Sequence, residues 1–262
     1  MRGPIIIKLG GSAITVKERP LTPRLRVLHQ VAYELASFGR KTKLVIVHGG
    51  GSFGHPQAAR YRIHKGVRTL KQLRGVTETK LAVEKLCLLV SEILMKHGIH
   101  AIPIHPSGIA VNKDCKLYAI HMDVVREVLD AGLTPILHGD VVPDLTRKFS
   151  ILSGDVIASR LAVSLKASIL IFGLDVDGIY DRDPKIYPDA KLIAELRAEE
   201  AGLVDVASGS RVDVTGGMKL KISEAIYAAK RGIRVLFFNI TRPGNLRAIL
   251  EGRLPGRYTM IL

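Results

Sequence analysis

The residues of this chain best fitted for chemistry are a lysine and two runs of glycine placed directly after apolar stretches. Lys8-Leu9-Gly10-Gly11-Ser12 follows Ile5-Ile6-Ile7, and His48-Gly49-Gly50-Gly51-Ser52-Phe53-Gly54-His55 follows residues 44–47. Glycines let a backbone approach an anion and aim N–H groups at phosphate oxygens, and a lysine beside them supplies mobile positive charge. A tight turn accounts for a Gly-Gly pair equally well. Three glycines in succession exceed what a turn needs, because each costs up to about 1 kcal/mol relative to alanine in a regular element. Neither run is a GxxxxGK[ST] loop. Gly49, Gly51 and Gly54 spell GxGxxG, but no Asp or Glu stands between residues 35 and 77 to take a ribose, as the dinucleotide fingerprint requires.

Three later segments carry the remaining candidates. Ser153-Gly154-Asp155 opens an apolar helix. Either Ser153 or Asp155 caps it, or Gly154 offers amides to an anion while Asp155 fixes nearby lysines. Residues 175–185 set Asp175, Asp177, Asp181 and Asp183 around Tyr180, closing on Lys185; the spacing fails the EF-hand pattern, and turn formation explains part of it. Residues 213–221 place Gly216-Gly217 before a helix with Lys219 and Lys221 in its first turn. The helix dipole disfavours cations there, so an anion is expected to meet them. His55, closing the second glycine run, is a phosphate ligand or an ordinary polar loop residue; its position at a loop end rather than on an apolar helix face favours the ligand.

These segments need a frame that delivers them to one place. Short β-branched runs at residues 5–7, 44–47, 101–104, 135–137, 169–172 and 235–238 predict strands buried on both faces. Helical spacing over residues 25–36, 78–96, 121–131, 155–165 and 219–230 alternates with them, which predicts a mostly parallel sheet with helices on both faces. In such sheets ligands bind beyond the carboxyl ends of the strands, so the turns after Ile7, Val47, Leu137 and Phe172 are where the chemistry belongs. With no repeat or linker, one α/β unit is expected, its two lobes meeting near residues 150–170.

Composition bounds the partners. The chain has 262 residues, 47% hydrophobic and 24% charged, the balance of a globular protein. Its apolar runs fall far short of the roughly 20 residues that span a bilayer, and its start lacks a signal peptide, so a cytoplasmic location with no membrane partner is expected. A formal charge of +15 favours anionic partners. Nine Lys or Arg crowd the acid-free stretch, including Arg40, Lys41, Arg60, Lys71 and Arg74. Aromatics there are too few for a stacking platform, so a solvated basic face is expected and nucleic acid is not. Cys87 and Cys115 lack metal-ligand spacing and read as inert thiols.

Taken together and in this order, the Lys8–Ser12 turn, the triple-glycine run, Ser153-Gly154-Asp155, residues 175–185 and Thr215-Gly216-Gly217-Met218 with Lys221 resemble the amino acid kinase family over nearly the whole chain. The resemblance implies one three-layer αβα sandwich with a central, mostly parallel sheet. Its first part, residues 1–165, would hold a phosphoryl acceptor and its second, residues 166–262, the nucleotide. It implies transfer from ATP, with Mg²⁺, to a carboxylate, carbamate, phosphate or phosphonate. The Gly-Ser-Phe-Gly-His ending is similar to that of members phosphorylating isopentenyl phosphate, in which the histidine holds the acceptor phosphate. Members acting on fosfomycin share it; those acting on acetylglutamate, aspartate or uridylate do not.

By that resemblance His55 grips the acceptor phosphate, with backbone contacts from Gly50 and Gly154, while Lys8, Lys17 and Lys221 surround the transferring group and Asp155 holds Lys8 and Lys221. Gly10, Gly11, Ser12, Gly51 and Gly217, with Asp175, Tyr180, Asp183 and Lys185, contact ATP or frame its site, and no residue binds metal directly. A homodimer is implied. The acceptor's short hydrocarbon tail calls for an apolar pocket, for which Val83, Leu86, Val90 and Ile151 are the candidates; ordinary core packing explains the same residues. The competing readings are a kinase for another small phosphate or phosphonate, an amino-acid-sensing kinase and a basic nucleic-acid-binding protein.

Overall fold

The structure, a computed structural model, describes residues 3–38, 42–197, 199 and 217–262. Its first half runs β1 (Ile5–Leu9), α1 (Gly11–Ile14), α2 (Leu25–Ser37), β2 (Leu44–His48), α3 (Gly51–Arg60), α4 (Leu70–Lys96), β3 (Ala101–Pro103), β4 (Ala110–Lys113), β5 (Lys116–Ile120), α5 (Asp123–Asp130), β6 (Thr134–His138), β7 (Asp140–Asp144) and β8 (Lys148–Leu152). The second half runs α6 (Gly154–Ser164), β9 (Ile169–Leu174), β10 (Ile179–Tyr180), β11 (Leu192–Ile193), β12 (Glu195–Leu196), α7 (Gly217–Ala229), β13 (Val235–Asn239), α8 (Asn245–Leu250) and β14 (Tyr258–Ile261).

All six β-branched runs enter one eight-stranded sheet of order β12-β14-β13-β9-β1-β2-β6-β3. Every neighbouring pair is parallel except β13 with β14. Strand alternation divides its apolar side chains between two cores. Ile6, Val45, Leu137, Phe172 and Phe237 face α5, α6 and α7, whereas Ile7, Ile46, Ile136, Ile171 and Phe238 face α1, α2, α4 and α8. The molecule is therefore an αβα sandwich. β1 lies at its centre, with strands of the first half on one side and of the second half on the other. That is the switch point at which open α/β sheets bind ligands.

Two parts of the fold depart from the sequence expectation. The stretch before residue 78 is helical: α4 starts at Leu70, where Thr69 and Gln72 form a capping box. α3 forms through Gly51, Gly54 and Pro56, all poor helix formers. Pro56 has no N–H for the Ser52 carbonyl, and the Leu21 N–H takes that oxygen instead at 3.2 Å. Burial of Phe53 and Ala58 holds the helix in place. The second departure is a separate four-stranded sheet, β5-β4-β7-β8. The turn expected after Leu137 shrinks to Gly139 alone, because β7 starts one residue after β6 ends. Among the described residues no helix is long and apolar enough to cross a membrane.

Candidate phosphoryl-transfer site

The site begins where the central strands end. In register, Leu9 of β1 lies between His48 of β2 and Gly173 of β9, and His48 lies beside His138 of β6. Beyond this line the two glycine runs pack backbone to backbone. A Cβ on Gly11 would sit 2.6 Å from the Gly51 nitrogen, and one on Gly49 would sit 2.8 Å from the Gly11 nitrogen. Gly51 also takes a left-handed φ of +49°. Close approach of the two turns to each other therefore demands several of these glycines, whatever ligand they face. Thr15 ties the turns together, its hydroxyl donating to the Gly11 carbonyl at 2.7 Å and accepting from the Ser52 N–H at 2.9 Å.

Beneath the turns lies a charge cluster built from three distant segments. Lys8 Nζ is 2.7 Å from Asp155 Oδ1, and Lys221 Nζ is 3.3 Å from Asp155 Oδ2. Lys8 and Asp155 are only 3% and 4% exposed, so this pair is withdrawn from water. Burial alone would raise the Asp155 pKa, but the two ammonium groups outweigh it and hold the carboxyl below its usual range. Burial lowers the Lys8 pKa, Lys221 adds to the lowering, and Asp155 opposes it. One carboxylate facing two ammonium groups leaves an excess positive charge in low dielectric, where an incoming anion is attracted far more strongly than in water. Ser153 caps α6, accepting from the Asp155 N–H at 3.2 Å, and its hydroxyl also reaches Asp155 Oδ2 at 3.4 Å, the oxygen that faces Lys221.

Unspent backbone donors surround this cluster. The N–H groups of Gly50 and Gly51, at the start of α3, and of Gly154, at the start of α6, donate to no acceptor among the described residues. His55 does not sit in a loop: it is exposed on α3, in the turn after the glycines. Lys17 lies on the exposed turn after α1 and makes no ion pair among the described residues.

On the β9 side, Asp175 accepts from the Ser12 hydroxyl at 3.0 Å and pairs with Lys185. Burial would raise its pKa, yet Lys185 and Ser12 hold it low. Asp177 is buried and pairs with Arg242 at 3.0 Å and Arg257 at 3.2 Å, with the Tyr180 hydroxyl donating to it at 3.4 Å. Asp183 accepts from the Lys185 N–H at 2.9 Å. Asp181 accepts from the Lys191 N–H at 2.9 Å, so the four aspartates are individual anchors of this segment. Gly217 begins the described part of α7 and its carbonyl accepts from Lys221 at 3.1 Å; Asp213, Thr215 and Gly216 lie outside the described residues, as do Arg40 and Lys41.

With this geometry in place, the comparisons with known proteins decide the family. The model of the amino acid kinase family matches residues 3–239. The chain belongs to the amino acid kinase family. Among its relatives is the isopentenyl phosphate kinase of Methanothermobacter thermautotrophicus, 37% identical over 256 residues and covering 95% of each chain. The isopentenyl phosphate kinase of Arabidopsis thaliana is 36% identical over 224 residues, covering 79% of this chain and 68% of the relative. A solved isopentenyl phosphate kinase superposes with a TM-score of 0.85 at 34% identity, covering 98% of this chain and 99% of its own.

Within this amino acid kinase the four apolar tail candidates separate. Val83 lies against the glycine run, its Cγ2 2.8 Å from where a Cβ on Gly54 would sit. Ile151 packs on a small cluster formed by Ala58, Tyr61, Ile63, Val67, Val76 and Val141, between α3, α4 and β7. Leu86 and Val90 do not join them. They are buried against Ile46, Ile136 and α2 in the main core: they share the helix face of Val83 but lie about 4.5 and 10.5 Å further along the helix axis. Thr15 was not anticipated: a threonine four residues past a glycine pair carries no signal until the second glycine run folds onto it.

Cys87 is buried within α4, and burial pushes its thiol up to about 12, which leaves it inert at neutral pH. Among the described residues, basic side chains of the acid-free stretch line two clefts. Arg60, Lys71 and Arg74 line one cleft, and Lys65 and Arg68 line another with Arg147 and Lys148.

Proposed function

We propose that the chain transfers the γ-phosphoryl group of ATP to isopentenyl phosphate, forming isopentenyl diphosphate and ADP. The observation that carries this reading is the buried Lys8–Asp155–Lys221 cluster, with its excess positive charge, beneath the unspent amides of Gly50, Gly51 and Gly154. The names of the relatives support the acceptor. An oxygen of the acceptor phosphate forms a bond to the γ-phosphorus as the bond from that phosphorus to the bridging oxygen of ADP breaks. Such a transition state asks for positioning and neutralisation of charge. Lys8 and Lys221 neutralise the moving group, and Asp155 holds both ammoniums in place. The acceptor is already ionised, so no general base is required. Lys17 joins the lysines when its exposed turn meets the triphosphate.

His55 holds the acceptor phosphate with Gly50 and Gly154, while Val83 and Ile151 face its hydrocarbon tail. Gly10, Gly11, Ser12, Gly51 and Gly217 contact or frame ATP, with Asp175, Tyr180, Asp183 and Lys185 at its border. The first-half strands thus carry the acceptor and the second-half strands the nucleotide. Asp155 and Asp175 are each engaged by lysines, a donor set that suits Mg²⁺ held by the triphosphate. Bound that way, Mg²⁺ offsets phosphate charge. For the implied second copy, Leu81, Leu88 and Met95 form an exposed stripe on α4. Light scattering on Leu88→Glu should report monomers where the native chain forms dimers; an unchanged mass removes this surface.

The function is tested by ADP release with Mg²⁺-ATP and isopentenyl phosphate, fosfomycin or acetylglutamate, for the native chain, His55→Ala and Val83→Phe. Turnover with isopentenyl phosphate alone is expected, with His55→Ala losing it and Val83→Phe raising its KM. Turnover only with another acceptor would retain the kinase and discard this substrate.

A further inference from the structure

Two histidines at the carboxyl ends of neighbouring parallel strands make the same local bond. His48 on β2 and His138 on β6 are paired in register. Each Nδ1 lies against the carbonyl oxygen of the glycine that follows it, at 3.0 Å for Gly49 and 3.1 Å for Gly139. A carbonyl only accepts, so Nδ1 carries the proton in both rings. His48 is completely buried, and its Nε2 has no hydrogen-bond partner among the described residues, so Nδ1 is the nitrogen in use. Burial above all, then the His138 ring and Lys8, push its pKa down to about 3, which keeps it a neutral donor under physiological conditions.

The consequence falls on the backbone. The Gly49 carbonyl and the Gly50 N–H belong to one planar trans peptide and point in opposite directions. A carbonyl drawn inward onto His48 therefore turns the Gly50 N–H outward, away from the ring. That N–H is one of the donors left unspent. A peptide between two glycines has no side chain of its own to set its plane, and glycine has the widest backbone freedom of any residue. The twin bond at Gly139 differs in this respect, since the next residue, Asp140, is already held in the β7–β8 ladder opposite Leu152.

We propose that His48 is a positioning residue for the acceptor: its Nδ1–H sets the plane of the Gly49–Gly50 peptide so that the Gly50 N–H faces the acceptor phosphate. This rests on the acceptor site assigned above. His48 touches neither acceptor nor ATP, and its effect is confined to the glycine run.

Two substitutions separate the nitrogens. The amide of His48→Asn occupies the place of Nδ1, whereas the amide of His48→Gln occupies that of Nε2 and matches the volume of the ring. His48→Gln is expected to raise KM for isopentenyl phosphate at least tenfold while KM for ATP changes less than twofold. His48→Asn should stay within about threefold of the native KM. In parallel, the Gly50 amide resonance should shift on addition of inorganic phosphate in the native chain and in His48→Asn, and stay unmoved in His48→Gln. Equal defects in both variants, or a Gly50 amide that still responds in His48→Gln, would overturn the positioning role. Should the native chain not turn over isopentenyl phosphate, the substrate assignment fails, and the phosphate-induced amide shift still decides the role of His48.

Discussion

The molecule holds two clusters of the same composition, one carboxylate and two cations, on the same side of the sheet. In the first, Asp155 meets Lys8 and Lys221, whose side chains are 4% and 19% exposed. In the second, Asp177 meets Arg242 and Arg257, whose side chains are 57% and 55% exposed. The carboxylates are equally buried, and the difference lies in the cations. Water screens the two guanidinium groups, so their excess charge is spent on solvent and their planar forks serve to tie β9, β13 and the turn before β14 together. The ammonium of Lys8 has no water to spend its charge on. It stays available to an anion, and its place at the end of the central strand puts it where the two halves of the sheet meet. Composition alone does not separate an anchor from a reactive centre; the burial of the cation does.

Substitutions test that contrast, beginning with the largest effect. Lys8→Met should lower kcat by about a hundredfold to a thousandfold, the scale for removing a preorganised charge from a phosphoryl-transfer site. ADP release under saturating substrates, with a melting curve to verify folding, is the measurement; a native kcat would erase the distinction between the clusters. Asp155→Asn leaves Lys8 facing Lys221 alone and should cost about 3–5 kcal/mol of stability, read from urea unfolding. It also moves a pH limb. Lys8 titrates below the ordinary lysine value of about 10.4, so turnover falls at lower pH than a solvated lysine would allow. Because Asp155 opposes that lowering, Asp155→Asn should shift the alkaline limb of kcat further toward neutral pH. On the acid side, the lowered Asp155 pKa means that its contribution to stability is complete above the unfolded value of about 3.9 and is lost as pH falls through the folded value.

The second cluster should respond on a different scale. Asp177→Asn loses hydrogen-bonded charge at a buried position, for about 1–3 kcal/mol in unfolding experiments, with kcat nearly unchanged. Arg257→Gln, at the exposed end, should cost under about 1 kcal/mol. A loss of kcat in Arg257→Gln comparable to that of Lys8→Met would place the transferring group on the Asp177 side and reverse the comparison.

Much of this frame is legible residue by residue. The runs at residues 5–7, 44–47 and 169–172 are strands because they are β-branched and continuous, and such runs bury both faces only in the middle of a sheet covered by helices. Ser153-Gly154-Asp155 reads as a helix start in any context. By contrast, α3 contradicts the local preferences of Gly51, Gly54 and Pro56 and exists because Phe53 is buried and Leu21 completes the hydrogen bond that Pro56 cannot. The four-stranded sheet is not legible because the segments around Asn112 and Asp144 carry polar residues at buried positions, where they are held by hydrogen bonds such as that from Asn112 Nδ2 to Ser150 Oγ at 2.8 Å. Leu86 and Val83 are three residues apart on one helix, and nothing local tells which of them meets the glycine run.

Strand and helix order and the glycine turns at the strand ends are legible in the residues alone, because they follow from side-chain periodicity and from backbone freedom at single positions; the grouping of Lys8, Asp155 and Lys221 rests on the resemblance of the whole motif set to a family. The folded molecule alone shows that the Lys8–Asp155 pair is withdrawn from water, that the glycine runs pack on each other, and that His48 has a single nitrogen to use. Those depend on distances between segments as much as 213 positions apart, such as Lys8 and Lys221, and on the water excluded between them, which no stretch of sequence contains.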